Sequence, residues 1–126
     1  MKVARWIFGI AGVYGILVMA PLYFAEAQIA KSDPPPITHV EYFYGFIGIT
    51  LAWQFVFLVI SRNPVRYRPL MLVSVLEKLA WGVPVLVLYM QQRLKASALV
   101  FGCIDLVLGA LFVLAFLRTP GDARTA

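Results

Sequence analysis

Charge and redox-active side chains are what this 126-residue chain has least of. Only 13% of its residues are Asp, Glu, Lys or Arg, and histidine and cysteine occur once each, at His39 and Cys103. A lone histidine rules out haem held by two histidines of the same chain. One cysteine rules out an intrachain disulfide. Scattered carboxylates without a His/Cys cluster are poor metal ligands, so neither a metal nor a cofactor is expected. The basic residues form no long run or folded basic face, which sets nucleic acid aside as a partner. Cys103 lies inside an apolar run and reads as a small core hydrophobe.

Apolar side chains fill the space instead. They make up 62% of the sequence, and the mean hydropathy is +0.85. Such a composition suits a chain whose solvent is lipid. Four apolar segments stand out, Arg5–Phe24, Val40–Ile60, Leu70–Met90 and Ala98–Leu117. Each is near the length that about 30 Å of hydrocarbon requires. Short connections make consecutive helices antiparallel neighbours. The expected fold is therefore all-α, a polytopic membrane protein forming a four-transmembrane-helix up-down bundle, with residues 1–126 as a single membrane domain.

Charge placement sets the orientation. Lys2, Arg5, Arg62, Arg66, Arg68, Arg118 and Arg124 fall on one side, and Lys31, Arg93 and Lys95 on the other. The positive-inside rule then puts both termini in the cytoplasm. Trp6 and Tyr67 at the inner boundary, and Tyr23, Tyr42, Tyr44 and Tyr89 towards the outer one, form an interfacial belt. Ala25-Glu26-Ala27 has the look of a signal cleavage site, but the apolar run before it is longer than a usual signal core, so it reads as a retained helix. The stretch Gln28–Ile37, with Pro34, Pro35 and Pro36, is the longest break. Thr38 and Glu41 have the spacing of a capping box for the second span. His39 reads as an exposed neighbour of that cap. The arginines of Ser61–Pro69 anchor the inner turn and suit anionic lipid headgroups, at roughly 1 kcal/mol per basic residue.

Polar groups inside the spans carry more information than those outside. Counting 1.5 Å per residue from the inner ends puts Gln54 and Glu77 about 9–11 Å deep, and Tyr14, Thr50 and Asp105 about 13–18 Å deep. Lys78, on a long stem, can bridge the two levels. Charged groups at such depth are costly and mark sites by default. Ser74, Glu77, Trp81 and Pro84 share one stripe of the third span, and Gly102, Asp105 and Gly109 one of the fourth. Lys78 is turned about 100° from Glu77, so Asp105 is its expected partner, leaving Glu77 to Gln54, Tyr14 or a ligand. Two acids and one lysine leave an excess negative charge, which calls for a proton or an external cation. The plain alternative is an interhelical network that only fixes packing, although such bonds average about 0.6 kcal/mol. Gly9, Gly12 and Gly15, and Gly45, Gly48 and Ala52, offer small-residue faces for helix packing or homodimerisation. Pro84 frees the carbonyl of Ala80 and shapes the interior. Trp53 and Trp81 lie deep, as walls of a pocket or as filler.

In length and helix count the chain is similar to the small multidrug-resistance exporters. Those carry an essential glutamate in the first helix, where this sequence has Tyr14 and no acid before Glu26. The architecture resembles the DoxX-like and sterol-isomerase/sigma-2-type bundles, which hold acidic residues inside four or five helices. The stretch Glu41–Leu94 resembles small uncharacterised bacterial inner-membrane proteins, which implies a location and no activity.

Three functional readings follow. The leading one is an integral membrane protein that takes a hydrophobic or cationic amphipathic small molecule into a polar pocket between its helices, as a transporter or an accessory subunit. Glu77 and Asp105 would supply negative charge, Lys78 the counter-charge, Gln54 and Tyr14 orienting hydrogen bonds, and Trp53 and Trp81 the apolar wall. The second is an intramembrane isomerase-type enzyme with Glu77 as general acid–base. The third is a structural partner, surrounded by membrane lipids, that docks as a homo-oligomer or on a larger membrane complex through its glycine faces.

Overall fold

The computed structural model describes residues 2–121. The inner charge expected at Arg124 lies outside the described residues. Within them the chain is all-helical, with five α-helices, four of them long and apolar enough to span a membrane. Helix α1 (Lys2–Met19) runs into a 3-10 turn (Ala20–Phe24), and α2 (Glu26–Ser32) is short. Helices α3 (Val40–Arg62), α4 (Arg68–Met90) and α5 (Ala96–Arg118) have 23 residues each. At 1.5 Å per residue each of these three measures about 34 Å, enough for about 30 Å of hydrocarbon, and α1 reaches a like length with its 3-10 turn.

Local chemistry explains the element boundaries. Pro21 has no N–H for the carbonyl of Leu17, so the α-helical ladder of α1 gives way to the tighter 3-10 turn. The loop expected to break from Gln28 is helical as far as Ser32. Glu26 in the first turn of α2 and Lys31 in the last complement the helix dipole. Pro34 then ends it, because the residue before a proline avoids helical geometry. The capping box expected from Thr38 and Glu41 does not form. His39 holds the N-cap position without a side-chain cap, one residue later than the box needs. Glu41 lies instead beside the exposed His39 ring, 3.7 Å from Nδ1.

The α4–α5 connection is closed by a paired-turn cap. Arg93 N–H donates to Leu88 O at 2.9 Å and Gln92 N–H to Tyr89 O at 2.9 Å. This geometry puts Gln92 at φ 60°, a place more often given to glycine. At the other end, Arg68 Nε donates to the carbonyls of Phe116 (3.3 Å) and Thr119 (2.7 Å), the last acceptors of α5. Its guanidinium also lies 3.6 Å from the Phe116 ring centroid.

Contacts among the long helices follow chain order around a ring, but unevenly. Helix α1 packs along α3, α4 along α5, and α1 against α5, whereas α3 and α4 make the loosest of these contacts although a short turn joins them. Consecutive long helices are thus in contact, as short loops lead one to expect, the α3–α4 pair only loosely. Small residues choose the partners. A Cβ on Gly12 would stand 2.8 Å from Leu58 Cδ2, and one on Gly15 would run into the Gln54 carboxamide. Likewise Gly82 meets Leu106, and Gly102 meets Val85. Partner numbers fall as helix numbers rise in both pairs, so each pair is antiparallel. Of the stripe of Gly45, Gly48 and Ala52, only Gly48 meets a neighbour, the Tyr23 hydroxyl 3.2 Å from where a Cβ would stand; Gly45 faces open space and Ala52 is exposed.

The buried core occupies the half of the molecule that carries Lys2, Arg62, Arg68 and Arg118, here termed the basic end. Phe8 stacks on Phe112 at 4.2 Å and Phe57 meets the same ring edge-on at 5.0 Å. Ala4, Ala11, Ala115, Ile60 and Met71 close around them. Because α1 supplies Ala4, Phe8 and Ala11, this helix is part of the core. The outer faces of the bundle are apolar, with Leu17 70% and Ile49 67% exposed. Cys103 belongs to that sheath and not to the core, since it is exposed on α5.

Candidate functional site

Away from the basic end the four long helices separate around a cavity of about 530 Å³. The second half of α1 with its 3-10 turn, the middle of α3, the middle of α4 and the first half of α5 supply its walls. Leu17, Leu22, Phe46, Trp81 and Phe101 make these walls largely apolar. Its polar residues are Tyr14, Thr50, Gln54, Glu77, Lys78, Ser97 and Asp105. Gln54 and Lys78 both sit beside the aromatic core, so the cavity is floored on the basic side. Such a shape, an apolar chamber with a few convergent polar groups, is that of a small-molecule site.

Lys78 is the centre of the floor. The buried stripe of α4 is Met71, Ser74, Lys78, Gly82 and Val85. Glu77 and Trp81 lie on its flank and Pro84 is exposed, so the inward stripe differs from the one expected through Glu77. Gly109 of α5 leaves room for the lysine stem: a Cβ there would stand 3.3 Å from Lys78 Cβ. One turn away on the same face is Asp105, whose Oδ1 accepts a hydrogen bond from Lys78 Nζ at 3.3 Å. Asp105 is thus the partner that the sequence suggested. Glu77 is a partner too, against expectation: its Oε2 lies 3.5 Å from the same ammonium. A long flexible stem spans the 100° between adjacent helical positions. The ammonium also stands 5.1 Å from the Phe57 ring centroid.

Each carboxylate turns one oxygen towards Lys78. Among the described residues, Glu77 Oε1 and Asp105 Oδ2 have no hydrogen-bond partner and neither atom is fully buried; both residues line the cavity. Glu77 Oε2 is sealed, and meets Lys78 only as a charge. Gln54 does not pair with Glu77. Its Nε2 donates to its own helix at Thr50 O, 2.8 Å away, and its Oε1 is buried against Gly15 without a hydrogen bond. Tyr14 lines the cavity from α1.

The two tryptophans separate. Trp81 walls the cavity and stacks with Phe46 at 6.1 Å. Trp53 does not reach it; the ring packs 6.3 Å from Phe57 and lines a shallower groove of about 300 Å³ between α3 and α4. Sequence reasoning also missed Phe46, Ser97 and Phe101. Each is an ordinary apolar or small residue of a span, and nothing in the pattern marks it as inward.

No family model matches this chain, and no curated protein or solved structure shows detectable similarity to it.

Proposed function

We propose that this chain is an integral membrane protein that binds an amphipathic small molecule, apolar in body and cationic at its head, in the cavity between its four long helices. The observation that carries this reading is the floor. Two carboxylates that line the cavity share one ammonium, and each keeps an oxygen without a hydrogen-bond partner. With all three groups ionised the floor is one negative charge in excess, and a buried excess charge is costly unless a counter-ion meets it. A protonated amine supplies the missing charge and the missing donors together. The apolar walls fit the rest of such a molecule.

A purely structural bundle would bury the same ion triad in a closed, dry core. Here the triad borders an open chamber, which favours binding over glue. The floor separates that chamber from the packed aromatic end, which fits a binding or accessory protein better than a through-going channel. The proposed setting is a bacterial inner membrane with both termini cytoplasmic, so that the chamber occupies the outer half. Its support is charge: Lys2, Arg5, Arg62, Arg66, Arg68 and Arg118 gather at one end, against Lys31, Arg93 and Lys95 at the other.

Native mass spectrometry of the detergent-purified protein tests the reading, beside Glu77→Gln and Asp105→Asn. A basic molecule retained by the wild type and lost from either variant is the expected result. Wild type that retains no amine, either from the cell or from added dodecylamine, would falsify it.

A further inference from the structure

The cavity is not the only apolar space that Glu77 reaches. The groove between α3 and α4 has Glu77, Thr50, Phe46 and Trp81 in common with it. Beyond these shared residues the groove continues along Ile49 and Trp53 of α3 and Val73, Leu76 and Ala80 of α4. Cavity and groove are therefore two sides of one seam, with the carboxylate and the Phe46–Trp81 stack on the line between them. The seam lies where the helices touch least, and no glycine pair locks it as Gly12 and Gly15 lock α1 to α3. On its far side the exposed apolar faces of Ile49 and Leu76 lead to the outer surface of the bundle.

From this continuity we infer that the α3–α4 groove is an alkyl-chain subsite, and that the ligand class is the long-chain amine. The inference rests on the cationic-amphipath reading above and adds where its tail lies. The ammonium sits at the free oxygens of Glu77 and Asp105, and the chain leaves through the seam beside Phe46 and Trp81. It then lies along the Val73–Trp81 face of α4, a run of about 12 Å at 1.5 Å per residue. Charge complementarity fixes the head, and the nearly unbroken apolar lining of the groove fits the tail. An amphipath already dissolved in the bilayer reaches such a seam by lateral diffusion, without passing through water.

A dodecylamine with a diazirine at its chain end, cross-linked by light to the full chain in phosphatidylcholine nanodiscs, tests this. Label that excess unlabelled dodecylamine removes is the specific fraction. Its expected sites are Ile49, Val73 and Leu76. In Ala80→Trp, and independently in Ile49→Trp on the facing wall, groove labelling should fall about tenfold. Both positions are exposed, so each bulky ring fills the groove without entering the core. Specific label on Leu17, Leu22 or Phe101 would overturn the subsite while leaving cavity binding intact. Label that dodecylamine does not compete, and that Glu77→Gln with Asp105→Asn leaves unchanged, would overturn both readings.

Discussion

The ammonium of Lys78 stands 5.1 Å from the ring centroid of Phe57, so one side chain closes the polar floor and caps the aromatic core beneath it. This contact joins the two halves of the molecule, and it makes Lys78 the most consequential of the buried polar residues.

Lys78→Met keeps the stem but strips both carboxylates of their counter-charge. The expected cost is about 3 kcal/mol of unfolding free energy or more, since it leaves buried acids unpaired. Adding Glu77→Gln and Asp105→Asn to the same chain should recover most of the loss. Thermal or denaturant unfolding in detergent measures both, and a single variant as stable as wild type would show the triad to be unimportant.

Gly15→Ala should cost about 1–3 kcal/mol, because the methyl group meets the buried Gln54 carboxamide packed against α1. Gly45→Ala is its control. Open space surrounds that position, so helix propensity alone acts and stability should rise by about 0.5–1 kcal/mol. Equal effects at the two positions would contradict the packing described.

Arg68→Lys should be far from neutral. A lysine reproduces the charge but neither the stacking on Phe116 nor the guanidinium N–H shared between two carbonyls. A loss of about 1–2 kcal/mol is expected, the value of a hydrogen bond from a charged donor with its packing. Hydrogen exchange should show the extra opening at the end of α5.

Gln92→Gly should stabilise the α4–α5 turn by about 1 kcal/mol, because φ 60° is strained for a residue with a Cβ. A lower melting temperature in the variant would mean that the glutamine side chain has a role of its own.

Orientation is open to direct chemistry. With Cys103 replaced by Ala, a cysteine at Lys31 should react with an impermeant maleimide in intact cells, and one at Arg66 only after lysis. The reverse pattern would invert the topology, and with it the side on which the chamber lies.

Much of this architecture is legible in the sequence because helices long and apolar enough to span a membrane obey a simple length rule. The three later helices begin and end within a few residues of their apolar runs, and Asp105 was identified as the partner of Lys78. What the pattern hid was rotation about each helix axis. In water a polar stripe marks the outer face, whereas here both faces of α4 are apolar and the charged pair straddles the boundary between them. The expected stripe through Glu77 therefore differs from the buried one through Lys78, although both side chains line the cavity, and Trp53, expected as a cavity wall, fills the neighbouring groove. Cys103 was misplaced for the same reason. Gln54 satisfies its amide nitrogen on Thr50 of its own helix, a local solution that removes the reason to expect Glu77 as its partner.

The 3.5 Å contact between Glu77 and Lys78 has a consequence for how the protein is made. On the membrane reading proposed above, ribosomes deliver α4 before α5, so Asp105 does not yet exist when the two charges first leave water. Side by side, they let the emerging segment enter lipid with no net charge, whereas either alone would carry a full one. Asp105 then takes its place at a lysine already half neutralised. Replacing Glu77 should accordingly lower the fraction of α4 that a translocon inserts, in an assay with α4 as the last segment. Replacing Asp105 cannot, because that residue arrives only after the step is over.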